Sequence, residues 1–220
     1  MSFDGFDPTA IALLEQLPDT SADDYASHKA TLAAGVSKPG AALIADVADV
    51  LDADLTVVPR SSVSPLHRDL RFAPEGAPRY KDHLLLTTWE GADKRSSPVF
   101  WIRIDSSSAG FASGIGFTPA VRDRWRSAVG GAPGTELATE LDTLVAERSA
   151  DVAGDQVKNV PPPFPADHPR ADLLRHTGFQ VRFSEPLPPS VDSPEFVTWC
   201  ADRLGALLPV HRWLLANLTD

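Results

Sequence analysis

The first 54 residues carry apolar side chains at the three- and four-residue spacing of an amphipathic helix. The first such run starts at Asp7, which can cap a helix, and a proline follows at the first helical position, where a missing N–H costs nothing. Ile11, Leu14 and Leu17 would form its buried side. This pattern predicts a short helix close to the N-terminus.

Two further helices are predicted before residue 55. One begins at Ser21, with Asp24 three residues later as a variant of the capping box, and it should end near Gly35. The other covers residues 38–51, where leucines and valines recur on one side and aspartates lie on the other. The N-terminal segment, residues 1–54, is therefore expected to be helical.

From residue 55 the apolar pattern shortens to runs that are rich in β-branched and aromatic residues. Gly, Pro and Ser clusters separate these runs, and such connections are too short for the crossovers that parallel strands need. The runs predict strands at residues 55–60, 62–72, 83–90, 99–105 and 110–116. The glycines of the last run lack nucleotide-binding spacing and indicate a bulge or a close backbone approach.

Helical spacing returns at Thr118, which can cap a helix that begins with Pro119. Later helices are predicted at residues 134–148, 168–176, 193–208 and 209–218, the last two divided by Pro209, with one more strand at 179–184. Helices, then strands, then helices indicate α+β architecture, with a mostly antiparallel central sheet of about five to six strands flanked by N- and C-terminal helices. We expect a single domain over residues 1–220, with helices in residues 1–54, the sheet in residues 55–117 and a helical and mixed region in residues 118–220.

Composition places the chain among soluble globular proteins. Apolar residues make up 43% and charged residues 23% of its 220 residues, and no apolar run is long enough to span a bilayer. The N-terminus has neither the basic nor the apolar region of a signal peptide, so we expect a cytoplasmic protein without a membrane partner. The formal charge of −10 argues against a nucleic-acid partner, because such proteins neutralise phosphates with Lys and Arg.

The acidity is uneven along the chain. Residues 1–54 contain ten acidic residues against two lysines, whereas four cations lie within fourteen residues further on. These four are Arg68, Arg71, Arg79 and Lys81. A local basic cluster in an acidic chain is a candidate for anion binding.

Strand alternation over residues 67–72 would place Arg68 on the face of Leu70 and Phe72, toward the core, and would place Asp69 and Arg71 on the other face. A guanidinium on the core side needs a carboxylate or a ligand. Gly76 and its neighbouring prolines predict a turn, which would return Lys81 toward Arg71 or Arg68.

Two functions fit this cluster. In the first, Arg68, Arg71 and Lys81 bind a small phosphate- or carboxylate-bearing ligand, with Arg103 nearby and with His168 or Tyr80 as candidates for proton transfer. In the second, Asp69 and its neighbours form structural ion pairs, and the chain is a non-enzymatic interaction or scaffold domain. No motif specifies a reaction, so the sequence leaves open whether the protein is an enzyme, and both monomer and homodimer are compatible with it.

Other chemistry has less support in the sequence. The six histidines form no His-x-His or His-x-x-x-His pair, so we expect no metal, and no cofactor motif is present. Nucleophilic catalysis lacks a Gly-x-Ser-x-Gly elbow. The one cysteine, Cys200, lies in an amphipathic helix beside Trp199 and is expected to be a buried structural thiol.

The stretch "RDLRFAPEGAPRYKDH", residues 68–83, resembles the Arg-Asp-x-Arg-Phe and Pro-Tyr-Lys core of the domain of unknown function 2461 family, a largely bacterial group also found in fungi. "GIGFTP" at 114–119 and "HPRADLLRHTGF" at 168–179 are similar to two further segments of that family, in the same order. The chain departs from the pattern at Glu75, Gly76 and Ala77 and by the insertion of Arg79. The resemblance implies a family without an established activity.

Overall fold

The computed structural model describes residues 2–91 and 93–219 and confirms the α+β architecture. Within these residues one six-stranded antiparallel sheet has the order β1-β2-β3-β4-β6-β5. The strands are β1 (Leu55–Thr56), β2 (Leu84–Glu90), β3 (Val99–Ile104), β4 (Ser108–Gly116), β5 (Asp151–Ala153) and β6 (Gly178–Pro186). The short β5, which pairs with β6, was not predicted from the sequence.

The helices are α1 (Pro8–Leu13), α2 (Ala22–Leu32), α3 (Lys38–Val50), α4 (Pro59–Ser62), α5 (Pro119–Gly130), α6 (Pro133–Arg148), α7 (Ala171–Leu174) and α8 (Glu195–Leu218). Leu14–Asp19 and Pro189–Asp192 are 3₁₀ turns. No helix among the described residues is both long enough and apolar enough to cross a membrane.

The chain forms two compact units, each assembled from three segments. The first contains the residues up to Thr88, Trp101–Gly110 and Ser184–Arg203, and the second contains Trp89–Phe100, Phe111–Phe183 and the residues from Leu204. In the first unit Phe3, Phe6 and Phe196 form an aromatic cluster with ring centroids 5.1 to 6.1 Å apart. In the second, the fully buried Trp125 contacts Phe117, Phe179 and Trp213. The single domain remains a prediction.

The predicted caps of the early helices are confirmed, but the predicted end near Gly35 is wrong. The Asp7 carboxylate accepts hydrogen bonds from two N–H groups of α1, and the Ser21 hydroxyl accepts one from Asp24. The chain does not stop at Gly35, because a π-helical turn over Ala33–Ser37 leads from α2 into α3. A Cβ at Gly35 would lie 2.5 Å from the Ala10 Cβ, so this glycine permits close packing against α1 and does not end the helix.

The predicted division of the last helix at Pro209 is also wrong, since α8 continues to Leu218. A proline inside a helix removes one hydrogen bond and strains the preceding turn. Here Leu207, Val210 and Leu214 are fully buried on either side of it. Burying one aliphatic side chain stabilises a fold by about 1.5–3 kcal/mol, so the burial of these three side chains outweighs the lost hydrogen bond.

The prediction of a continuous strand over residues 62–72 is wrong. This segment forms two isolated bridges instead, Val63 to Leu86 and His67 to Tyr80. After the second bridge the chain turns away from the sheet. Leu70 is 47% exposed and Phe72 is 85% exposed, so neither side chain faces the core.

The Asp69 side chain explains why this segment turns. Its carboxylate accepts the Arg71 N–H at 3.2 Å, and its carbonyl oxygen accepts the Phe72 N–H at 3.3 Å. Such local hydrogen bonds compete with strand pairing, and here they prevail over the alternating pattern.

Candidate anion site

The candidate site lies on a short two-stranded ribbon in the first unit. The Arg68 N–H donates to the Arg79 carbonyl and the Lys81 N–H donates to the Leu66 carbonyl, each at 2.8 Å. The bridge from His67 to Tyr80 lies between these two hydrogen bonds. The residues between form a loop that includes Gly76, whose φ of +77° confirms the predicted turn glycine.

This pairing determines which side chains share a face. Side chains alternate along a strand, and residues opposite one another in an antiparallel pair lie on the same side. Arg68, Arg79 and Lys81 therefore share one face of the ribbon, and His67 and Tyr80 share the other. The predicted return of Lys81 toward Arg68 is confirmed.

Tyr80 anchors the ribbon to the body of the first unit. Its ring is buried and stacks on Tyr25 of α2, with ring centroids 3.9 Å apart and planes 10° from parallel. Burial, and secondarily the proximity of Tyr80, raises the pKa of Tyr25. Tyr80 thus has a packing role, and its role in proton transfer stays a prediction.

No carboxylate of the described residues lies within 4.0 Å of the charged nitrogens of Arg68 or Lys81. The Arg68 Nε donates to the Pro78 carbonyl at 3.2 Å, which satisfies one donor but does not neutralise the charge. Burial lowers the pKa of Lys81, and the nearby positive charge of Arg68 lowers it further. Two adjacent, half-buried cations thus lack a compensating anion within the described chain.

Arg71, in contrast, is engaged inside the loop. Its guanidinium donates two hydrogen bonds to the Asp69 carboxylate, at 2.9 and 2.6 Å, and lies 5.5 Å from the centroid of the Phe72 ring. The hydrogen bond from Arg71 lowers the pKa of Asp69. Asp69 thus forms an ion pair, and both of its members are exposed.

Arg103 is also paired with carboxylates. In β3 it alternates with the buried Ile102 and Ile104, and its guanidinium donates to Asp105 and, at 3.3 Å, to Asp82. Burial pushes the pKa of Asp105 upward, but hydrogen bonds from its serine neighbours and from Arg103 outweigh burial and lower that pKa to about 2. Arg103 therefore belongs to a carboxylate network.

His168 belongs to the second unit, where it completes a turn before α7. Its Nδ1 accepts the Arg170 N–H at 3.0 Å, and its ring meets Phe164 edge-on, with centroids 5.7 Å apart. This geometry gives His168 a local structural role in the turn that precedes α7. A proton-transfer role for His168 stays a prediction.

Arg170 is a structural residue that the sequence did not reveal. Its guanidinium donates to the carbonyls of Val129, Gly130 and Gly131 and to the Thr135 hydroxyl, at 2.6 to 3.4 Å. The carbonyls of Val129 and Gly130 belong to the last turn of α5, where backbone acceptors have no helical partner, and Gly131 is the C-cap residue. Arg170, in the segment 168–179, thus stabilises the C-terminal end of α5.

The segment 114–119 also has a structural explanation. A Cβ at Gly114 would lie 2.3 Å from the Phe179 carbonyl oxygen, so only glycine allows β4 and β6 to approach this closely. The Thr118 hydroxyl accepts the Val121 N–H and caps α5, as predicted. Two of the three segments that resemble the family are therefore accounted for by packing and capping.

A buried histidine in the second unit was missed as well. The His211 ring stacks on Phe100, its Nδ1 lies 3.0 Å from the Ser113 hydroxyl, and its Nε2 lies 3.8 Å from Glu90. Burial, and secondarily the charge of Arg212, lowers the pKa of His211 to about 3. The order Ser, His, Glu resembles a catalytic triad, but the Ser113 side chain has no exposed surface from which to attack a substrate.

Metal and thiol chemistry find no support in the described residues. Residues 2–91 and 93–219 contain no group of three His, Cys, Asp or Glu side chains that could hold a metal ion. Cys200 is fully buried, and burial raises the pKa of its thiol, so it is the structural thiol expected from the sequence.

The fold and the ribbon define an α+β protein with a partly buried basic hairpin. The model of a family described as "Conserved hypothetical protein (DUF2461)" matches residues 19–213, and the chain belongs to this family. Comparison with curated proteins finds no match.

Proposed function

We propose that the protein binds a small anionic ligand, carrying a phosphate or a carboxylate, between Arg68 and Lys81. One observation carries this proposal: the two cations share a face of the ribbon, and no described carboxylate lies within ion-pair distance of either. Two like charges held close together destabilise each other, and burial adds to that cost for Lys81. A bound anion would relieve both penalties at once.

The ion pairs of the neighbouring arginines support Arg68 and Lys81 as the main ligand-binding residues of this proposal. Arg71 and Arg103 already pair with carboxylates, so they are weaker candidates than Arg68 and Lys81. Arg79 lies on the same face of the ribbon and is exposed, so it can meet the outer region of a ligand. A planar guanidinium beside a flexible ammonium suits oxyanions, because the first binds in a forked geometry and the second adapts.

The test compares ligand-induced stabilisation in three proteins. Inorganic phosphate, with sodium chloride at matched ionic strength as the reference, should raise the melting temperature of the wild type and of Arg71→Gln. It should not raise that of Lys81→Met. Stabilisation reaches about 2.7 kcal/mol when ligand exceeds its dissociation constant about a hundredfold. Equal shifts in wild type and Lys81→Met would show that phosphate acts elsewhere.

Carboxylates form the second arm of the same experiment. Citrate and acetate should be compared with phosphate, because both oxyanion classes match a guanidinium. If neither class stabilises the wild type beyond the salt reference, the scaffold alternative replaces this proposal. The exposed Leu70 and Phe72 are the observation that favours that alternative.

A further inference from the structure

One edge of the sheet in the first unit is formed by an interrupted strand. The chain from residue 55 to residue 68 runs antiparallel to β2 and to the residues that precede it. The contacts are Thr88 Oγ1 to the Thr56 carbonyl at 2.8 Å, the bridge from Val63 to Leu86, and the bridge from His67 to Tyr80. The helical turn α4 interrupts this edge, which leaves its outer side without a strand partner among the described residues.

This edge concentrates the exposed apolar side chains. The described residues include six exposed large apolar side chains, and four of them lie between residues 50 and 72. They are Val50 at 59% exposure, Val58 at 41%, Leu70 at 47% and Phe72 at 85%. Val50 ends α3 just before the edge begins, and Leu70 and Phe72 lie in the loop just after its last bridge. Exposed apolar side chains beside an unpaired sheet edge are typical of an interaction surface.

The two ends of the edge carry opposite charge. At the end where α3 meets β1, Asp49 and Asp54 are exposed beside Val50. At the other end, residues 68–81 carry four cations against two exposed acidic residues, Asp69 and Glu75. This end is therefore basic, although Asp69 pairs with Arg71. Arg71 and Arg79 are the exposed cations of this end. The eight steps from residue 80 to residue 88 separate these ends by up to about 27 Å, at about 3.4 Å per step of extended chain.

We propose that two copies of the chain pair through this edge about a two-fold axis. A two-fold axis brings the acidic end of each copy against the basic end of the other, so the surface is complementary to itself. A standard interface covers about 800 Å² per partner, which is a patch about 28 Å across and therefore comparable to the length of this edge. The net charge of −10 disfavours anionic membranes and nucleic acids as occupants of the same surface.

The test is sedimentation velocity over a concentration series. The wild type should form a dimer that weakens at high salt, because its specificity is electrostatic. Reversing the basic end with Arg71→Glu and Arg79→Glu should raise the dimer dissociation constant about tenfold or more. Reversing the acidic end with Asp49→Arg and Asp54→Arg should do the same, and combining all four substitutions should restore the wild-type constant.

Two apolar variants provide the matched control. Phe72→Ser should weaken the dimer, whereas Val145→Ser, which changes a side chain of 48% exposure in α6, should leave it intact. Both positions are exposed, so both variants should keep the wild-type circular dichroism spectrum and melting temperature. The proposal is overturned by a wild type that is monomeric throughout, by a dimer that survives either reversal, or by equal weakening in Val145→Ser.

Discussion

An arginine stabilises or destabilises a fold according to what its guanidinium meets. The Arg170 guanidinium donates hydrogen bonds to carbonyl oxygens at the end of α5, and that of Arg71 donates to a carboxylate. The Arg68 guanidinium donates to one carbonyl and lies near the ammonium of Lys81, which it repels. Composition alone does not distinguish these cases. The structure is therefore needed to show which group each arginine contacts.

Arg170→Met should destabilise the protein by about 2–3 kcal/mol, because it removes charge-assisted hydrogen bonds, including those to the carbonyls of Val129 and Gly130 at the end of α5. Equilibrium urea unfolding measures this directly. The matched control is Arg182→Met, which removes an exposed ion pair with Asp151. That control should cost less than about 1 kcal/mol, and a cost equal to that of Arg170→Met would contradict the capping role.

The buried His211 should give the protein a characteristic sensitivity to acid. Its pKa is about 3 in the folded protein against an ordinary value of 6.5, so the unfolded chain takes up a proton that the folded chain does not. Stability from this group is present above pH 6.5 and is lost as the pH falls toward 3.

His211→Phe should therefore flatten the dependence of unfolding free energy on pH, by up to about 1.4 kcal/mol per pH unit within that window. The ring would still stack on Phe100, while the Ser113 hydroxyl would lose its partner and lower stability near neutral pH. Urea unfolding of both proteins at several pH values measures the two slopes. Identical slopes would mean that His211 does not titrate as described.

Among the helices, the three starts with a capping side chain were predictable, whereas the continuation of the helical chain past Gly35 was not. Asp7, Ser21 and Thr118 cap through hydrogen bonds to residues two or three positions away, so the cap is encoded locally. The continuation past Gly35 depends on packing against α1, which lies far away in sequence. No local pattern contains that contact.

In the candidate site, too, local features were predictable from the sequence and the partners of individual side chains were not. The clustering of cations and the turn at Gly76 were visible in the sequence, and the return of Lys81 toward Arg68 followed from them. Which arginines find carboxylates was not predictable. Arg71 pairs with Asp69 because the chain forms a turn at these residues. The alternation of apolar residues had predicted a strand there instead.

Gly114→Ala should destabilise the sheet by about 1–3 kcal/mol, since the new methyl group collides with a backbone carbonyl that cannot move without displacing β6. Gly116→Ala in the same strand is the control, because nothing lies within 4 Å of a Cβ built there. Thermal unfolding of the two variants should separate them clearly. A Gly114→Ala variant as stable as Gly116→Ala would show that the two strands are not held this closely.

For the molecule as a whole, the three segments that resemble the family fall into two groups according to the contacts that they make. The segments 114–119 and 168–179 make caps and close packing contacts that stabilise this fold. The segment 68–83 is different, because it combines an anchored tyrosine with cations that no described carboxylate neutralises. The proposed function therefore rests on the ribbon, whereas the contacts of the other two segments are structural.

The pKa of Lys81 tests this assignment most directly. It can be followed by NMR through the carbon next to the Lys81 ammonium, with Lys81→Met providing the resonance assignment. Without ligand the pKa should lie below that of an ordinary lysine, because of burial and the charge of Arg68. Saturating phosphate should raise it, since a bound anion stabilises the charged form. An unchanged pKa in phosphate would contradict the anion site.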